Sequence, residues 1–515
     1  MAGVEDVRAF DASTDGRGRS SRWLTAGMAL GATAVSVVLL LFLTSPELSW
    51  DEADLLGTAS RSWWSLWSSD PPGQSLRRHY HGPIGLYLAK LGHDLPAAFG
   101  PIEARVRFPT ALVASSSICL LYWLLRRVFA TSRPAALVGS GLWLLSFIRL
   151  EETNVIGPHH LMAVCTLALL GLAYRFRDEP SRRTAVILGV VLGFGALTMT
   201  YVIPAAVCTA AALTLAKSRW LALEGVKLRI SGWLVAALAT AALVLFVVWP
   251  PGILQLRIAK DFGAFVLMGH HPTLVGERMF EATPRWAALY WLLRLDAPIL
   301  LVSAAVISIA GWRAWKTRSF SSRHVYLGVC VAFFLATALT AHLAGARNLL
   351  LAVVVSCLAT GASFDEAVGP RLGLRRFGAG AIGVLALANL VLASRSATYT
   401  PYLATDGYRA FVEQGTIRLQ EQAKAVVYGL PILKFYERET GVGSGWDASE
   451  IPWTTQSFPL ADDVKYVLIP AFVYRDMPPD HPMRRIVADH WKVVWSFESP
   501  HTWQLRLFER PAGAS

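Results

Sequence analysis

Residues 25–54 read TAGMALGATAVSVVLLLFLTSPELSWDEAD. The run Thr25–Thr44 is apolar and long enough to cross a bilayer as one helix. A basic flank precedes it and no small-residue cleavage site follows, so it reads as an uncleaved first span rather than a signal peptide. Directly beyond it stand Asp51, Glu52 and Asp54. Carboxylates crowded at the mouth of a membrane segment are costly to desolvate and have no evident packing role. One reading is an acidic helix start, with Ser49 or Asp51 as the cap. The other is chemical: a general base, alone or with a metal, that takes a proton from an acceptor hydroxyl.

The rest of the composition agrees with a membrane setting. Of 515 residues, 54% are hydrophobic and 16% charged, against about 25% charged in soluble domains. Mean hydropathy is +0.42. The net charge of +12 therefore reads as basic cytoplasmic loops, not as a nucleic-acid surface. The cysteines (Cys119, Cys165, Cys208, Cys330, Cys357) each sit in an apolar run and read as small buried hydrophobes.

Further apolar runs fall near 109–125, 134–150, 159–175, 184–200, 202–217, 231–250, 290–311, 324–343, 347–362 and 377–394, giving about eleven spans. The alternate connections carry Arg126/Arg127/Arg133, Arg175/Arg177/Arg182/Arg183, Lys217/Arg219/Lys227/Arg229, Arg313/Lys316/Arg318/Arg323 and Arg371/Arg375/Arg376. The turns near 151–158, 201–204 and 344–346 carry no Lys or Arg. The positive-inside rule then puts residues 1–24 in the cytoplasm as a polar tail. An odd span count puts the C-terminus outside the cell membrane.

Two outer loops are long. In the first, residues 45–108, Leu55, Leu56, Ala59, Trp63 and Trp67 recur at helical spacing and predict a helix lying on the membrane, broken at Asp70-Pro71-Pro72-Gly73. Residues 83–98 predict a second surface helix. The other long loop, 251–289, contains Lys260, Asp261, His270, His271, Glu277 and Arg278. After the membrane module (25–394) the character changes. Residues 424–438 read as strand, turn and helix; Lys465–Tyr474 and Trp491–Phe497 are β-rich, and Thr502–Phe508 alternates. Residues 395–515 thus predict a small extracytoplasmic α/β domain.

A second cluster lies in the first loop: Arg77-Arg78-His79-Tyr80-His81-Gly82-Pro83. Forked guanidinium donors suit phosphate, and imidazole donates to phosphate or binds a metal. The alternative is a solvated basic loop attracted to anionic lipid head groups. One His from each of the pairs His159/His160 and His270/His271, joined by His81, would make a metal site; otherwise these histidines touch lipid head groups.

Taken in order, these motifs resemble the GT-C superfamily of integral-membrane glycosyltransferases, in the branch of the protein O-mannosyltransferases and lipid A aminoarabinose transferases. The resemblance rests on Asp51-Glu52 after the first span, His81-Gly82-Pro83 before a surface helix, and Arg107-Phe108-Pro109 opening the second span. It also rests on Ala346-Arg347-Asn348 in the last spans. It implies an α-helical polytopic fold with juxtamembrane helices, and a hexosyl- or pentosyltransferase. A polyprenyl-phosphate sugar would be the donor and a glycan, lipid or protein hydroxyl the acceptor. By the same resemblance Asp51 is the base and Glu52 supports acceptor or metal. Arg77, Arg78, His81 and Arg347 would hold the donor phosphate, while Asp54, Glu151 and Glu152 stand near the acceptor. His81, His270 and His271 are candidate ligands for a divalent cation. Gly82 in place of Pro and Asn348 in place of Tyr depart from the family pattern and suggest an atypical substrate. The alternative is a multispanning transporter or flippase of a lipid-linked or envelope substrate. Transporters place functional charges within their spans, where Arg294 and Asp296 are the exceptions to weigh.

Overall fold

The structure is a computed structural model that describes residues 50–68, 82–153, 155–199, 202–215, 224–251, 273–275, 278–280, 283–318, 321–340, 346–396, 407–415, 422–443, 445–451, 461–470, 491–497 and 505–511. The tail 1–24 and the first apolar run lie outside these, as do Arg77, Arg78, His81, His270 and His271. For Asp51, Asp54 and Arg347 the described part is the backbone alone.

Among the described residues the 45–108 loop forms three helices: α1 (Trp50–Ala59), α2 (Trp63–Ser68) and α3 (Pro83–His93). The single surface helix expected over 55–67 is in fact two. Ser60 Oγ donates to the Gly57 carbonyl at the end of α1, and Ser62 Oγ accepts the Ser65 N–H at the start of α2. Nor do Leu55, Leu56 and Ala59 face lipid; they are buried in a core shared with the C-terminal domain. Trp63, Trp64 and Trp67 do stay exposed.

The membrane module follows. It comprises α4 (Ile102–Arg127), α5 (Arg133–Leu144), α6 (Phe147–Thr153), α7 (His159–Asp178), α8 (Arg182–Thr198), α9 (Val202–Leu215) and α10 (Glu224–Val248). A short antiparallel hairpin, β1 (Thr273–Val275) with β2 (Arg278–Phe280), leads to α11 (Ala287–Lys316), α12 (Ser322–Thr340), α13 (Ala346–Val368) and α14 (Leu372–Ser396). Among the described residues, five stretches are long and apolar enough to cross a membrane: Ile102–Arg127, His159–Asp178, Ala287–Lys316, Ser322–Thr340 and Leu349–Val368. Val202–Ala212 and Gly232–Val248 are shorter apolar helices. The run 134–150, expected as one span, is broken between α5 and α6.

Local chemistry sets these elements. Ser132 and Ser181 accept N–H groups at the starts of α5 and α8. Gly189 and Gly193 of α8 bring it onto α10, where an added Cβ would lie 2.3 Å from the Ala237 oxygen and 2.6 Å from the Ala241 oxygen. This is the small-residue spacing by which membrane helices approach closely. At the basic end of the bundle the connections are tied together. Ser132 donates through N–H and hydroxyl to Asp365, which pairs with Arg375. Arg323 and His324 pair with Glu366, and Arg323 also donates to the Phe129 carbonyl.

Gly82, which opens α3, has a steric reason to be glycine. Its N–H donates to the Thr198 carbonyl at 3.3 Å, and an added Cβ would lie 1.6 Å from the Leu197 carbonyl oxygen. Proline, with a Cβ and without an N–H, would lose both features of this contact. The departure from the family pattern is therefore explained by packing of α3 on the end of α8. Gly82→Ala is expected to cost at least about 1–3 kcal/mol, because the clash is with backbone. A lowered unfolding temperature of the detergent-solubilised protein is the expected reading, and an unchanged one contradicts it.

The C-terminal domain is a five-stranded sheet in the order β4 (Asp447–Glu450), β3 (Lys424–Val427), β5 (Tyr466–Pro470), β7 (Leu505–Glu509), β6 (Lys492–Phe497). β3 runs parallel to β4 and β5, and β7 is antiparallel to β5 and β6. Helix α15 (Leu430–Thr440) follows β3 through Gly429 at φ +76°, where a Cβ would meet the Tyr408 hydroxyl at 2.8 Å. α15 packs on α1, so α1 lies between α3 and the sheet domain.

Candidate active site

Helix α1 carries the acidic motif, and its orientation is set by Glu52. That side chain is 1% exposed and meets Arg107 of α4, itself 3% exposed. Arg107 Nε donates to Glu52 Oε1 at 3.0 Å and Nη2 to Oε2 at 2.9 Å, a forked pair. Oε1 also accepts the Ile156 N–H at 2.9 Å, from the turn between α6 and α7. Glu52 therefore joins three parts of the chain: the first loop, the first turns of α4 and the 151–158 turn. Asp51 precedes it by one residue and stands about 100° away around the helix. Asp54 shares the Asp51 side, one turn on.

The turn reached by Ile156 holds a second acidic and imidazole group. Glu152 Oε2 lies 3.4 Å from His159 Nδ1, with both side chains about 5% exposed. The Thr153 hydroxyl donates to the Arg149 carbonyl at 2.8 Å, so at its 3.2 Å contact with His160 Nε2 it is the acceptor. His159 and His160 both open α7 and turn to different partners. The structure thus brings Glu52 and the 151–160 turn to one end of the bundle, opposite the basic connections. It does not join His159 and His160 at one point. Among the described residues no group of three or more His, Cys, Asp or Glu side chains could hold a metal ion.

The sheet domain reaches this site through Glu103, 4% exposed in the first turn of α4. Arg409 Nη2 donates to Glu103 Oε1 at 2.5 Å and the Tyr436 hydroxyl donates to the same oxygen at 2.9 Å. Glu103 and Arg107 are one helical turn apart on α4, so domain docking and the α1 anchor share that helix. Tyr436→Phe removes one donor from a buried carboxylate, a loss of about 1–3 kcal/mol. The expected result is faster limited proteolysis between α14 and β3; an unchanged cleavage rate would show that Glu103 does not hold the domain.

Beside α1, the aromatic helix α2 is pinned to the ends of α3 and α10. Trp63 Nε1 donates to Asp94 Oδ2 at 3.0 Å, Trp67 Nε1 to the Val247 carbonyl at 3.1 Å, and the Tyr87 hydroxyl to the Val248 carbonyl at 3.1 Å. A cavity of about 460 Å³ lies between Trp63, Trp64, Trp67 and Tyr87. Burial pushes the Tyr87 phenol up to about 12. Partial burial raises the Asp94 carboxyl, but hydrogen bonds from Lys90, His93 and Trp63 outweigh it and hold the group below the usual carboxylate range.

Several of these residues were not singled out by sequence. Arg107 entered only as part of a motif, and Glu103 and Arg149 not at all. For Arg107 a signal exists: an arginine entering an apolar span requires a carboxylate partner. Asp296 is one of the two charges weighed within the spans. It is fully buried within α11, at a kink two residues before Pro298.

Juxtamembrane helices, a polytopic bundle and a small C-terminal sheet domain meeting at an acidic first-loop helix define the GT-C class of membrane glycosyltransferase folds. Comparison with known proteins agrees. Residues 80–251 match the family profile of the dolichyl-phosphate-mannose-protein mannosyltransferases. Among solved structures, the oligosaccharyltransferase AglB of Archaeoglobus fulgidus, with an inhibitory peptide and a dolichol-phosphate, aligns at TM-score 0.59 and 13% identity. That alignment covers 94% of this chain and 74% of AglB. ArnT from Cupriavidus metallidurans, bound to undecaprenyl phosphate, aligns at TM-score 0.56 and 13% identity over 95% of this chain and 98% of ArnT. The A. fulgidus enzyme with Zn and sulfate aligns at 0.54 and 14% identity, covering 93% and 72%. No curated protein matches the sequence significantly. The chain has the GT-C fold and is a multi-pass membrane protein.

Proposed function

We propose that the protein is a glycosyltransferase that moves a sugar from a polyprenyl-phosphate donor to an acceptor hydroxyl at the outer face of the cell membrane. The observation that carries this reading is the Arg107–Glu52–Ile156 lock. It fixes the helix bearing Asp51 and Asp54 against the turn bearing Glu151, Glu152 and His159, at the end of the bundle opposite the basic connections. That end is outside by the positive-inside rule, with residues 1–24 in the cytoplasm and the sheet domain external.

In this mechanism Asp51 takes the proton of the acceptor hydroxyl. The acceptor oxygen attacks the anomeric carbon as the bond from that carbon to the phosphate oxygen breaks, through an oxocarbenium-like state with inversion. The lipid phosphate leaves as an anion, stabilised by Arg77, Arg78, His81 and Arg347. Glu52 acts as the anchor that aims α1, and Glu151 and Glu152 support the acceptor side. The imidazole ligands suggested for a divalent cation, His81, His270 and His271, lie outside the described residues. The solved relatives with dolichol-phosphate and undecaprenyl phosphate support the donor class.

A transporter would place functional charge within its spans. Asp296 has no exposure and accepts hydrogen bonds from four donors, so it offers no open site to a moving ion. The test is incubation of the purified protein in nanodiscs with polyprenyl-phosphate sugars and extracted envelope acceptors. Release of polyprenyl phosphate with equimolar sugar transfer is expected. Solute or lipid translocation without transfer would overturn the proposal.

A further inference from the structure

The proposed mechanism makes no use of the fully buried polar cluster around Asp296. Asp296 stands where α11 kinks, at φ −133° and ψ 26°, just before Pro298. Its Oδ1 accepts the Phe147 N–H at 2.8 Å and the Asn389 Nδ2 of α14 at 3.0 Å. Its Oδ2 accepts the Ser146 hydroxyl at 2.6 Å and the Ile148 N–H at 3.4 Å. Phe147 and Ile148 are the first residues of α6, whose leading N–H groups have no partners within the helix. Ser146 Oγ completes the cap by accepting the Arg149 N–H at 3.2 Å. On the other side of the break, Arg149 Nε and Nη2 donate to the Leu144 carbonyl that ends α5, at 3.2 and 2.8 Å. The interruption between α5 and α6 is thus built on both sides, and its capping carboxyl is delivered from a distant helix.

What α6 carries gives the cluster its meaning. Glu151 and Glu152 lie in its last turn, and Ile156, whose N–H holds Glu52, comes three residues after its end. We propose that Asp296 is a positioning residue for the active site: by holding the N-terminal end of α6 it sets where the Ile156 N–H and Glu152 stand relative to α1. Asp296 touches no reacting atom and acts through α6. Its kinetic consequence rests on the transferase reading above; its structural consequence does not.

Asp296→Asn tests this. An amide has one accepting oxygen, so either the Phe147 side or the Ser146/Ile148 side of the cap is lost. In hydrogen exchange of the purified protein in nanodiscs, peptides covering 147–157 are expected to exchange at least about ten-fold faster, with α7 and α13 unchanged. In the transfer assay kcat is expected to fall by up to about a hundred-fold, the cost of a small misplacement, while KM for the lipid donor stays within about two-fold. Asn389→Leu leaves three donors on Asp296 and should give a smaller change in the same direction. Unchanged exchange at 147–157, or faster exchange with unchanged kcat, would overturn the inference. If Asp296→Asn does not fold, Asn389→Leu and Ser146→Ala carry the test, and wild-type exchange in both would overturn it. If the wild-type protein transfers no sugar, the function proposal fails and the exchange result still decides whether Asp296 holds α6.

Discussion

Asp51→Asn is expected to abolish sugar transfer while leaving expression, folding and donor binding intact. Removing a general base lowers turnover by about 10²–10⁴-fold, and asparagine keeps the size and helix-start preference of aspartate. Glu52, which makes the forked pair with Arg107, is unchanged in this variant, so that pair and the packing of α1 against α15 should survive. Asp54→Asn, one turn further, should lose less than about ten-fold if it serves only the helix start. Initial rates of polyprenyl-phosphate release with saturating donor separate the two variants. Normal turnover by Asp51→Asn would remove the base from the mechanism.

Arg107→Leu is expected to destabilise the protein by about 3–5 kcal/mol, because it leaves Glu52 as a buried carboxylate without its forked partner. The single variant should show a sharply lowered unfolding temperature or fail to accumulate. The double variant Glu52→Leu/Arg107→Leu replaces a buried ion pair with apolar side chains and should recover much of that stability. It should not recover activity, since the Ile156 N–H then has no carboxylate to hold. That split between stability and turnover is the signature of an anchor. Wild-type stability in Arg107→Leu, or wild-type activity in the double variant, would show that the lock does not organise the site.

How far the sequence could be read follows from the range of each interaction. The strand–turn–helix at 424–438 was legible because a short apolar run, a glycine and a proline mark it within a few residues. The edge strand Asp447–Glu450 was not, because Asp-Ala-Ser-Glu carries no apolar signal and only its pairing with β3 makes it a strand. The 134–150 run conceals its break: apolar residues continue through Leu144, Leu145, Phe147 and Ile148, and the capping carboxylate comes from Asp296, about 150 residues later. Leu55, Leu56 and Ala59 showed a true amphipathic face, but nothing local states whether lipid or another domain covers it. Here α15 does. At the site, the acidic motif was visible as an expensive cluster. The partner of Glu52 lay 55 residues away on a span and 104 residues away on a turn. No periodicity connects them.

The central claim is that this GT-C fold transfers sugar from a lipid carrier at the outer membrane face. The most direct measurement is mass spectrometry of envelope glycans, glycolipids and glycoproteins from cells with the gene, cells without it, and cells carrying Asp51→Asn. The account predicts that one glycan modification disappears with the gene and stays absent with Asp51→Asn, while the unmodified acceptor accumulates. An unchanged glycan profile in the absence of the gene, with the protein instead moving solute or lipid across liposome membranes, would contradict it.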